Sequence, residues 1–338
     1  VAVVGVGAVG QEMLRVLRQR SFPVDTLRVF ARSAREITVD GHPYAVEAIA
    51  ADRFEGIDIA LFAGTEGEKG AAVTYAPEAV KRGAVVIDNG RDFRMEQDVP
   101  LVVPEVNAHA LKNHKGIISN PNCSTIQMVV ALEPLRKKAG IERVIVTTLQ
   151  AASGAGRSAV AQLWEEAGEV VGHGQQGSVN CEKAEQKGMP YQLAFNVAPH
   201  IGGFGKDDYT SEEWKLVEET HKIMADPAMK ISATTIRVPV RTGHAESVYV
   251  ETKEPLRAED ARSLLSQAPG IVVMDDPAEK KYPMPKDIEG RDETFVGRIR
   301  QDSFSERGIW LWVVADNLRK GAAANAVQIA EELIKPDL

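Results

Sequence analysis

The chain has 338 residues, of which 44% are hydrophobic and 26% are charged, so it is long enough for two domains with separate cores. Its formal net charge is −8, and it has no run of Lys or Arg, which argues against a surface for nucleic acid or anionic membranes. No apolar stretch reaches membrane-spanning length. Two widely separated cysteines, Cys123 and Cys181, give neither a disulfide framework nor a zinc spacing, so we expect a cytoplasmic protein.

The first segments predict a nucleotide-binding unit. Residues 1–4 form an apolar strand, residues 5–10 a glycine-rich turn and residues 11–20 an amphipathic helix. A strand, turn and helix in this order place backbone N–H groups where they can bind a pyrophosphate, although a glycine triplet alone is often only a tight turn. The candidate cofactor-binding residues are Gly5, Gly7, Ala8, Val9 and Gly10. The start lacks the basic residues of a signal peptide, and because it lacks Met we expect residues to precede it.

The segments that follow predict a parallel, doubly wound sheet. Further strands are expected at 27–30, 57–62 and 84–88, with a helix at 71–82 between the last two. After the second strand, where an acidic residue would bind the ribose of NAD, the chain has Arg32 and Ser33. These side chains suit a 2′-phosphate and favour NADP, whereas the alternative is a solvated loop.

Cys123 is a candidate nucleophile because it lies between a turn and a helix. The turn Asn120-Pro121-Asn122 follows a short apolar strand at 116–119, and residues 126–132 have apolar side chains at helical spacing. A helix N-terminus favours the thiolate form of a cysteine. The alternative is a small buried hydrophobe, and the polar neighbours argue against it.

From about residue 142 the pattern changes to a second, α+β domain. Residues 143–150 are rich in β-formers, a small-residue loop follows at 151–156, a helix is predicted at 158–170, and 172–199 is irregular. A helix at 210–225 opens with a capping box of Thr210 and Glu213. Strands of an antiparallel or mixed sheet are predicted at 231–241, 246–251, 271–275, 295–301 and 308–315. A terminal helix at 321–334 could return to the first domain.

The predicted fold is therefore α/β, with an N-terminal Rossmann-like dinucleotide-binding domain and a second α+β domain. We assign residues 1–122 plus 319–338 to the first domain and residues 123–318 to the second.

Several segments resemble the aspartate-β-semialdehyde dehydrogenase family in their order and spacing, over nearly the whole chain. They are Ser119-Asn120-Pro121-Asn122-Cys123-Ser124-Thr125, Phe93-Arg94-Met95, residues 102–107, residues 150–156, Arg237-Val238-Pro239-Val240 with Gly243-His244, and residues 316–321. The resemblance implies reversible reduction of L-4-aspartyl phosphate by NADPH to L-aspartate 4-semialdehyde and phosphate. That reaction belongs to the biosynthesis of lysine, threonine and methionine.

The resemblance also implies catalytic roles. Cys123 would attack the acyl phosphate and form a thioester, His244 would shuttle a proton, and Gln150 would orient the substrate or a water. A lone histidine is otherwise more often a polar surface residue. Ser153, Gly154 and Asn317 would contact the cofactor, Asn317 at the nicotinamide carboxamide. Cys181 matches no catalytic position.

Substrate-binding roles follow in the same way. Arg237, seven residues before His244 and near the start of the same predicted strand segment, would hold the substrate carboxylate bidentately. Glu219 would bind the ammonium, while Arg94 and Lys222 would bind phosphate. Without the resemblance, Glu219 and Lys222 would be an exposed i, i+3 ion pair and Arg237 a surface salt bridge. Asn122 is a further predicted substrate contact.

Two segments depart from the family pattern. The glycine loop is G-x-G-x-x-G, one residue shorter than the usual G-x-x-G-x-x-G, and residues 89–92 are Asn-Gly-Arg-Asp where small hydroxyl residues are usual. An N-acetyl-glutamyl-phosphate reductase is the nearest rival, but Glu219 suits a free ammonium better than an amide. A phosphorylating glyceraldehyde-phosphate dehydrogenase matches poorly around Cys123. A catalytically silent nucleotide-binding homologue is a further alternative.

A homodimer is expected from what is usual in the family. The small-residue terminal helix and the long irregular 172–199 segment favour the same assembly.

Overall fold

The chain divides into two compact units. The computed structural model describes residues 1–64, 70–172 and 189–336. The first unit comprises Val1–Asn122, Lys222–Ala225 and Leu318–Leu338, and the second comprises Cys123–His221 and Asp226–Asn317. Relative to the predicted boundaries, the first unit also contains Lys222–Ala225, the end of a helix, and Leu318. None of the described helices is long and apolar enough to cross a membrane.

A seven-stranded sheet forms the centre of the first unit. Its elements are β1 (Ala2–Val4), α1 (Ala8–Gln19), β2 (Arg28–Ala31), β3 (Arg35–Val39), β4 (His42–Ala48), β5 (Ile59–Phe62), α2 (Ala71–Lys81), β6 (Val85–Asp88), α3 (Pro104–Asn107) and β7 (Ile117–Ser119). The strand order is β3-β4-β2-β1-β5-β6-β7, and every neighbouring pair is parallel except β3 and β4. The predicted Rossmann-like sheet is confirmed.

The sequence reading missed the hairpin of β3 and β4. Asp40 and Gly41 form its two-residue turn with φ values of +48° and +78°, and Val39 pairs with His42 across it. An Asp-Gly pair between β-forming residues is a strong hairpin signal, so the sequence did contain the information. The hairpin adds an antiparallel edge to an otherwise parallel sheet.

The glycine loop brings α1 close against β1. A Cβ on Gly10 would lie 1.8 Å from the carbonyl oxygen of Gly5, a distance that no side chain can occupy. Gly5 itself has a φ of +98°, which favours glycine. Gly7 immediately precedes α1, which begins three residues earlier than predicted, and a Cβ on Gly7 would meet no atom within 4 Å.

Gly10→Ala should therefore lower the free energy of unfolding by more than the roughly 1–3 kcal/mol typical of an overpacked site. Gly7→Ala is the matched control, because its methyl group enters open space; it should cost less than about 1 kcal/mol. Urea unfolding of both variants measures the difference. Equal stability of the two variants would contradict the close approach of Gly10 to Gly5.

The second unit is built on a six-stranded mixed sheet. Its elements are α4 (Cys123–Ala139), β8 (Ile141–Gln150), α5 (Arg157–Gly172), α6 (Ser211–Met224, whose last turn belongs to the first unit), β9 (Lys230–Arg237), β10 (His244–Thr252), α7 (Ala258–Ser266), β11 (Ile271–Val273), α8 (Pro285–Ile288), β12 (Thr294–Asp302) and β13 (Ser305–Ala315). The strand order is β11-β12-β13-β10-β8-β9. The pairs β8–β9 and β11–β12 are parallel and the others antiparallel, so the predicted α+β domain is confirmed.

One strand prediction is wrong in a way that matters for the site. The segment predicted as a strand at 231–241 ends at Arg237, and the next strand begins at His244. Gly243, with a φ of +93°, lies in the connection between them. Arg237 and His244 therefore lie at the end of β9 and the start of β10, not on one strand.

The terminal helix returns to the first unit, as predicted. Helix α9 (Ala324–Leu333) follows a π-helical turn at Arg319–Ala323, and its apolar face joins the core that contains β1 and α1. Arg319 Nη1 donates to Glu12 Oε1 at 2.9 Å, which ties the start of this segment to α1.

Candidate functional site

Cys123 is the first residue of α4 and is half-buried. The turn Asn120-Pro121-Asn122 directs the chain from β7 into the helix, which explains why a polar turn precedes an apolar helix. At this position the positive end of the helix dipole favours negative charge. The structure therefore provides the setting of a reactive thiolate. Cys181 lies outside the described residues, as do residues 173–188 of the irregular segment.

His244 opens β10 and has no exposed surface. Its Nδ1 accepts a hydrogen bond from the backbone N–H of Ala151 at 3.0 Å. Its Nε2 is buried without a hydrogen-bond partner among the described residues. Burial, assisted by the positive charge of Arg237, lowers the pKa of His244 to about 3, and the opposing charge of Glu212 does not compensate. The ring is therefore neutral near pH 7.

Arg237 is almost fully buried at the end of β9. Its Nη1 donates to the carbonyl oxygen of Ala151 at 2.6 Å, whereas its Nε has no partner among the described residues. A Cβ on Gly154 would lie 3.1 Å from Arg237 Nη1 and 3.2 Å from His244 Nε2. The loop at 151–154 thus approaches both side chains closely, and a side chain at position 154 would crowd their polar atoms.

Gln150, the last residue of β8, is held at both ends of its amide. Its Nε2 donates to Glu212 Oε1 at 3.1 Å, and its Oε1 accepts from Thr148 Oγ1 at 3.1 Å. Glu212 also accepts from Lys215 Nζ at 2.8 Å. The amide keeps one N–H and one lone pair beyond these bonds, so it can still bind a substrate group in a fixed orientation.

Glu212 is a site residue that the sequence reading missed. It lies in the first turn of α6, seven residues before Glu219, so both carboxylates lie on one helix face, and both are buried. The capping box at the start of this helix is confirmed. Thr210 N donates to Glu213 Oε2 at 2.7 Å, and Glu213 N donates to Thr210 Oγ1 at 3.3 Å. The sequence signal for Glu212 was its position inside the capping box, one residue before Glu213.

Ser153 and Asn317 form a buried pair next to the connection that precedes His244. Asn317 Nδ2 donates to Ser153 Oγ at 3.0 Å, and its Oδ1 accepts from the N–H of Gly243 at 2.8 Å. Asn317 therefore fixes the turn from which β10 begins. Its contact with a cofactor stays a prediction.

The predicted 2′-phosphate residues lie directly after β2 in the first unit. Arg32 and Ser33 are both exposed, and Arg35 Nη1 donates to Ser33 Oγ at 3.1 Å. Both side chains can be reached by a ligand at the end of this strand. Their selectivity stays a prediction.

Arg94 and Lys222 meet at one loop of the first unit. Arg94 is buried and donates to the carbonyl oxygens of Asn89 and Gly90, at 2.8 and 3.1 Å. Lys222 Nζ donates to the carbonyl oxygens of Arg94, Glu96 and Val99, at 2.7, 2.7 and 2.8 Å. An ammonium group has three protons, so these carbonyls can occupy all of them. Lys222 holds the loop that carries Arg94 and adds positive charge there. Asn122, the predicted substrate contact, is buried beside Cys123 in the chain.

Lys222→Met should lower the free energy of unfolding by about 2 kcal/mol, because hydrogen bonds from a charged group to three carbonyls are lost. Lys112→Met is the control, because it removes one positive charge from an exposed site of the same unit. Urea unfolding of both variants measures the change in the free energy of unfolding. Unchanged stability of the Lys222 variant would show that these hydrogen bonds do not hold the loop.

Comparisons with known proteins show related sequences and structures for this chain. Residues 1–114 match the family model of the semialdehyde dehydrogenase NAD binding domain, and residues 132–320 match that of the semialdehyde dehydrogenase dimerisation domain. The aspartate-semialdehyde dehydrogenase of Bacillus subtilis is 49% identical over 100% of this chain and 98% of its own length.

Two solved structures add information about ligands. The aspartate semialdehyde dehydrogenase II of Vibrio cholerae, complexed with ASA, has a TM-score of 0.91 and 42% identity over 100% of this chain and 98% of its own. The aspartate semialdehyde dehydrogenase of Candida albicans, with NADP, has a TM-score of 0.70 and 26% identity over 98% of this chain and 97% of its own.

Proposed function

The chain belongs to the aspartate-semialdehyde dehydrogenase family, and we propose that it catalyses the reversible, NADPH-dependent reductive dephosphorylation of L-4-aspartyl phosphate. The products are L-aspartate 4-semialdehyde and phosphate, a step in the biosynthesis of lysine, threonine and methionine. The observation that carries the proposal is the cluster of Gln150, Arg237 and His244 around Ala151, in the unit that also presents Cys123 at a helix start. This cluster can bind a carboxylate and polarise a carbonyl.

The assay that tests the proposal uses the reverse direction. The protein is mixed with aspartate semialdehyde, phosphate and NADP, and nicotinamide reduction is followed. We expect reduction that depends on both the semialdehyde and phosphate. Reduction that proceeds equally without phosphate would contradict the acyl-phosphate chemistry.

Cys123 carries the covalent steps. Its sulfur attacks the acyl carbon of aspartyl phosphate, a C–S bond forms, and the C–O bond to phosphate breaks. Bound NADPH supplies the hydride that reduces the resulting thioester. The tetrahedral adduct on Cys123 then collapses, so that the C–S bond breaks and the aldehyde leaves. Gln150, fixed by Glu212 and Thr148, orients the substrate during these steps.

The remaining substrate contacts are assigned by charge. We propose that Arg237 holds the α-carboxylate, because its Nε is buried without a partner among the described residues and one edge of the guanidinium is anchored on Ala151. Glu219, buried in α6, binds the ammonium. Arg94, with the charge of Lys222 next to it, binds phosphate, and Asn122 contributes a further polar contact beside Cys123.

Cys123→Ser should lower kcat by several orders of magnitude while the fold stays intact, because the serine hydroxyl is far less ionised near neutral pH. The rate of phosphate-dependent nicotinamide reduction measures the loss, and the thermal midpoint checks the fold. Near-normal turnover of this variant would rule out the thioester.

The glycine loop of the first unit fits a dinucleotide. Gly7 faces open space at the start of α1, where N–H groups without helical partners can bind a pyrophosphate. Ala8 and Val9 contribute the first N–H groups of the helix. We propose that Arg32 and Ser33 bind the 2′-phosphate of NADP, and that Ser153, Gly154 and Asn317 contribute contacts to the nicotinamide end of the cofactor.

Arg32→Ala should reduce the preference for NADP over NAD by roughly 1.5–3 kcal/mol, the range for a hydrogen bond to a charged group. That range corresponds to about 10- to 150-fold in kcat/KM. The kinetics of the unaltered protein and the variant with each cofactor give the ratio. Equal losses with NADP and NAD would show that Arg32 does not contact the 2′-phosphate.

A homodimer is the proposed assembly. The match of residues 132–320 to a dimerisation domain supports it. The second unit also exposes large apolar side chains, namely those of Trp164, Val171, Phe195, Val197 and Phe204. A monomer mass in light scattering would rule the dimer out. A cytoplasmic location stays a prediction from the cysteine usage.

A further inference from the structure

We propose that Tyr191 is a positioning residue for Arg237, and that its phenol oxygen orients the guanidinium for the α-carboxylate of the substrate. This role rests on the proposed function, because it gives Tyr191 a task in the binding of aspartate semialdehyde. The carboxylate contact then depends on residues 191–200, the bridging segment, which contains none of the site residues predicted from the sequence.

The bridging segment is held at both of its ends by hydrogen bonds to backbone groups. Near its end, Ala198 N donates to the carbonyl oxygen of Arg237 at 2.9 Å, and Arg237 N donates to that of Ala198 at 2.8 Å. Near its start, the buried carboxylate of Glu166 in α5 accepts from the N–H groups of Leu193 and Ala194, at 2.6 and 2.9 Å. The segment therefore has a fixed position beside the end of β9.

The phenol of Tyr191 connects this segment to the guanidinium of Arg237. Its hydroxyl donates to the carbonyl oxygen of His200 at 2.7 Å, so the lone pairs of the phenol oxygen serve as acceptors. Arg237 donates a side-chain hydrogen bond to that oxygen. Burial raises the pKa of Tyr191 against the opposing charge of Arg237, so the phenol keeps its proton near pH 7. The half-buried ring packs against the small apolar core that contains Ala152 and Leu193.

Two fixed acceptors determine the plane of the Arg237 guanidinium. Its Nη1 donates to the carbonyl oxygen of Ala151 at 2.6 Å, and the phenol oxygen of Tyr191 is the second acceptor. One hydrogen bond fixes a single point of a planar group, whereas two fix its orientation. A guanidinium has five N–H groups, so it retains enough donors, including the unpartnered Nε, for a bidentate contact with a carboxylate. Tyr191 thus prepares Arg237 for the substrate without contacting the reacting carbon.

Tyr191→Phe tests this role, because it removes the acceptor and leaves the ring to pack as before. We expect the KM for aspartate semialdehyde to rise about three- to tenfold, the size of one ordinary hydrogen bond. The kcat should change by less than about twofold, and the KM values for phosphate and NADP should stay the same, since only carboxylate binding is weakened.

Tyr249→Phe is the matched control. Tyr249 is also half-buried, but it packs against Trp310, five residues beyond His244 along β10. All three KM values should be unchanged in this variant. An unchanged KM for the semialdehyde in Tyr191→Phe, or equal rises for all three substrates, would overturn the proposal.

A double-mutant cycle shows whether Tyr191 acts through Arg237. Arg237→Lys replaces the planar fork with a point charge, which has no plane to orient. In this background Tyr191→Phe should raise the KM for the semialdehyde by less than about twofold. Effects that multiply in full would show that Tyr191 acts independently of Arg237 and would overturn the proposal.

The anchoring can also be measured in the complete, unaltered protein by ¹⁵N NMR of arginine side chains. A guanidinium held by both Ala151 and Tyr191 cannot rotate freely about its Nε–Cζ bond, so Arg237 should give separate signals for its two Nη atoms. Loss of these signals in Arg237→Lys assigns them. A single averaged signal would overturn the proposal, whether or not Tyr191→Phe folds.

Failure of the proposed function would give a different result. If the unaltered protein does not oxidise aspartate semialdehyde in the presence of phosphate, the proposed function fails, and the carboxylate role fails with it. If it does, and Tyr191→Phe has an unchanged KM for the semialdehyde, only the role of Tyr191 fails.

Discussion

The site depends on the backbone of Ala151. Its N–H holds the ring of His244 at 3.0 Å, and its carbonyl oxygen holds the guanidinium of Arg237 at 2.6 Å. Two side chains that carry proposed roles are thus fixed by one residue whose own side chain is a methyl group. Such a constraint is rigid, because a buried backbone donor or acceptor without a partner is costly.

Sheet topology explains why the backbone of Ala151 can contact both His244 and Arg237. It follows β8, which lies between β10 and β9 in the sheet. Because β8 runs antiparallel to β10, its end lies beside the start of β10, where Leu149 pairs with Ala245. Because β8 runs parallel to β9, its end also lies beside the end of β9, where Gln150 pairs with Arg237. Two strand ends and one strand start therefore meet at the same edge.

The parts of the structure that sequence predicted are those that local patterns determine. Cys123 at a helix start, the glycine loop and the capping box of Thr210 and Glu213 each follow from a few neighbouring residues. The terminal helix was predictable because its apolar spacing demands a core to pack against.

The missed features depend on contacts between distant residues. The position of Arg237 relative to His244 follows from the register of β9 and β10 against β8, which no local pattern specifies. Glu212 became a site residue only because Gln150, 62 positions away, points its amide at it. Lys222 was predicted as a site residue from a local motif. Its three carbonyl acceptors, however, lie more than a hundred residues earlier in the chain, so the motif could not reveal them.

The segment at 89–92, where the chain departs from the family pattern, is held by its flanking residues. Asn89 Nδ2 donates to the carbonyl oxygen of Phe62 at 3.0 Å, and Asn120 Nδ2 donates to Asn89 Oδ1 at 2.9 Å. Gly90 N donates to Asp88 Oδ1 at 2.9 Å, and a Cβ on Gly90 would lie 2.9 Å from Asp88 Oδ2. Burial raises the pKa of Asp88 to about 6. A side chain at position 90 would therefore crowd this buried carboxyl.

A second buried network supports the same segment from the terminal helix. Lys320, with no exposed surface, donates to Glu105 Oε2 at 2.7 Å and to Asn325 Oδ1 at 3.0 Å. Asn325 Nδ2 in turn donates to Asn120 Oδ1 at 2.7 Å, and Asn120 is the residue that holds Asn89. A fully buried lysine is costly unless it is paired and hydrogen-bonded, and here both conditions are met. The terminal helix therefore does more than fill the core of the first unit, because its polar residues fix the turn that leads into Cys123.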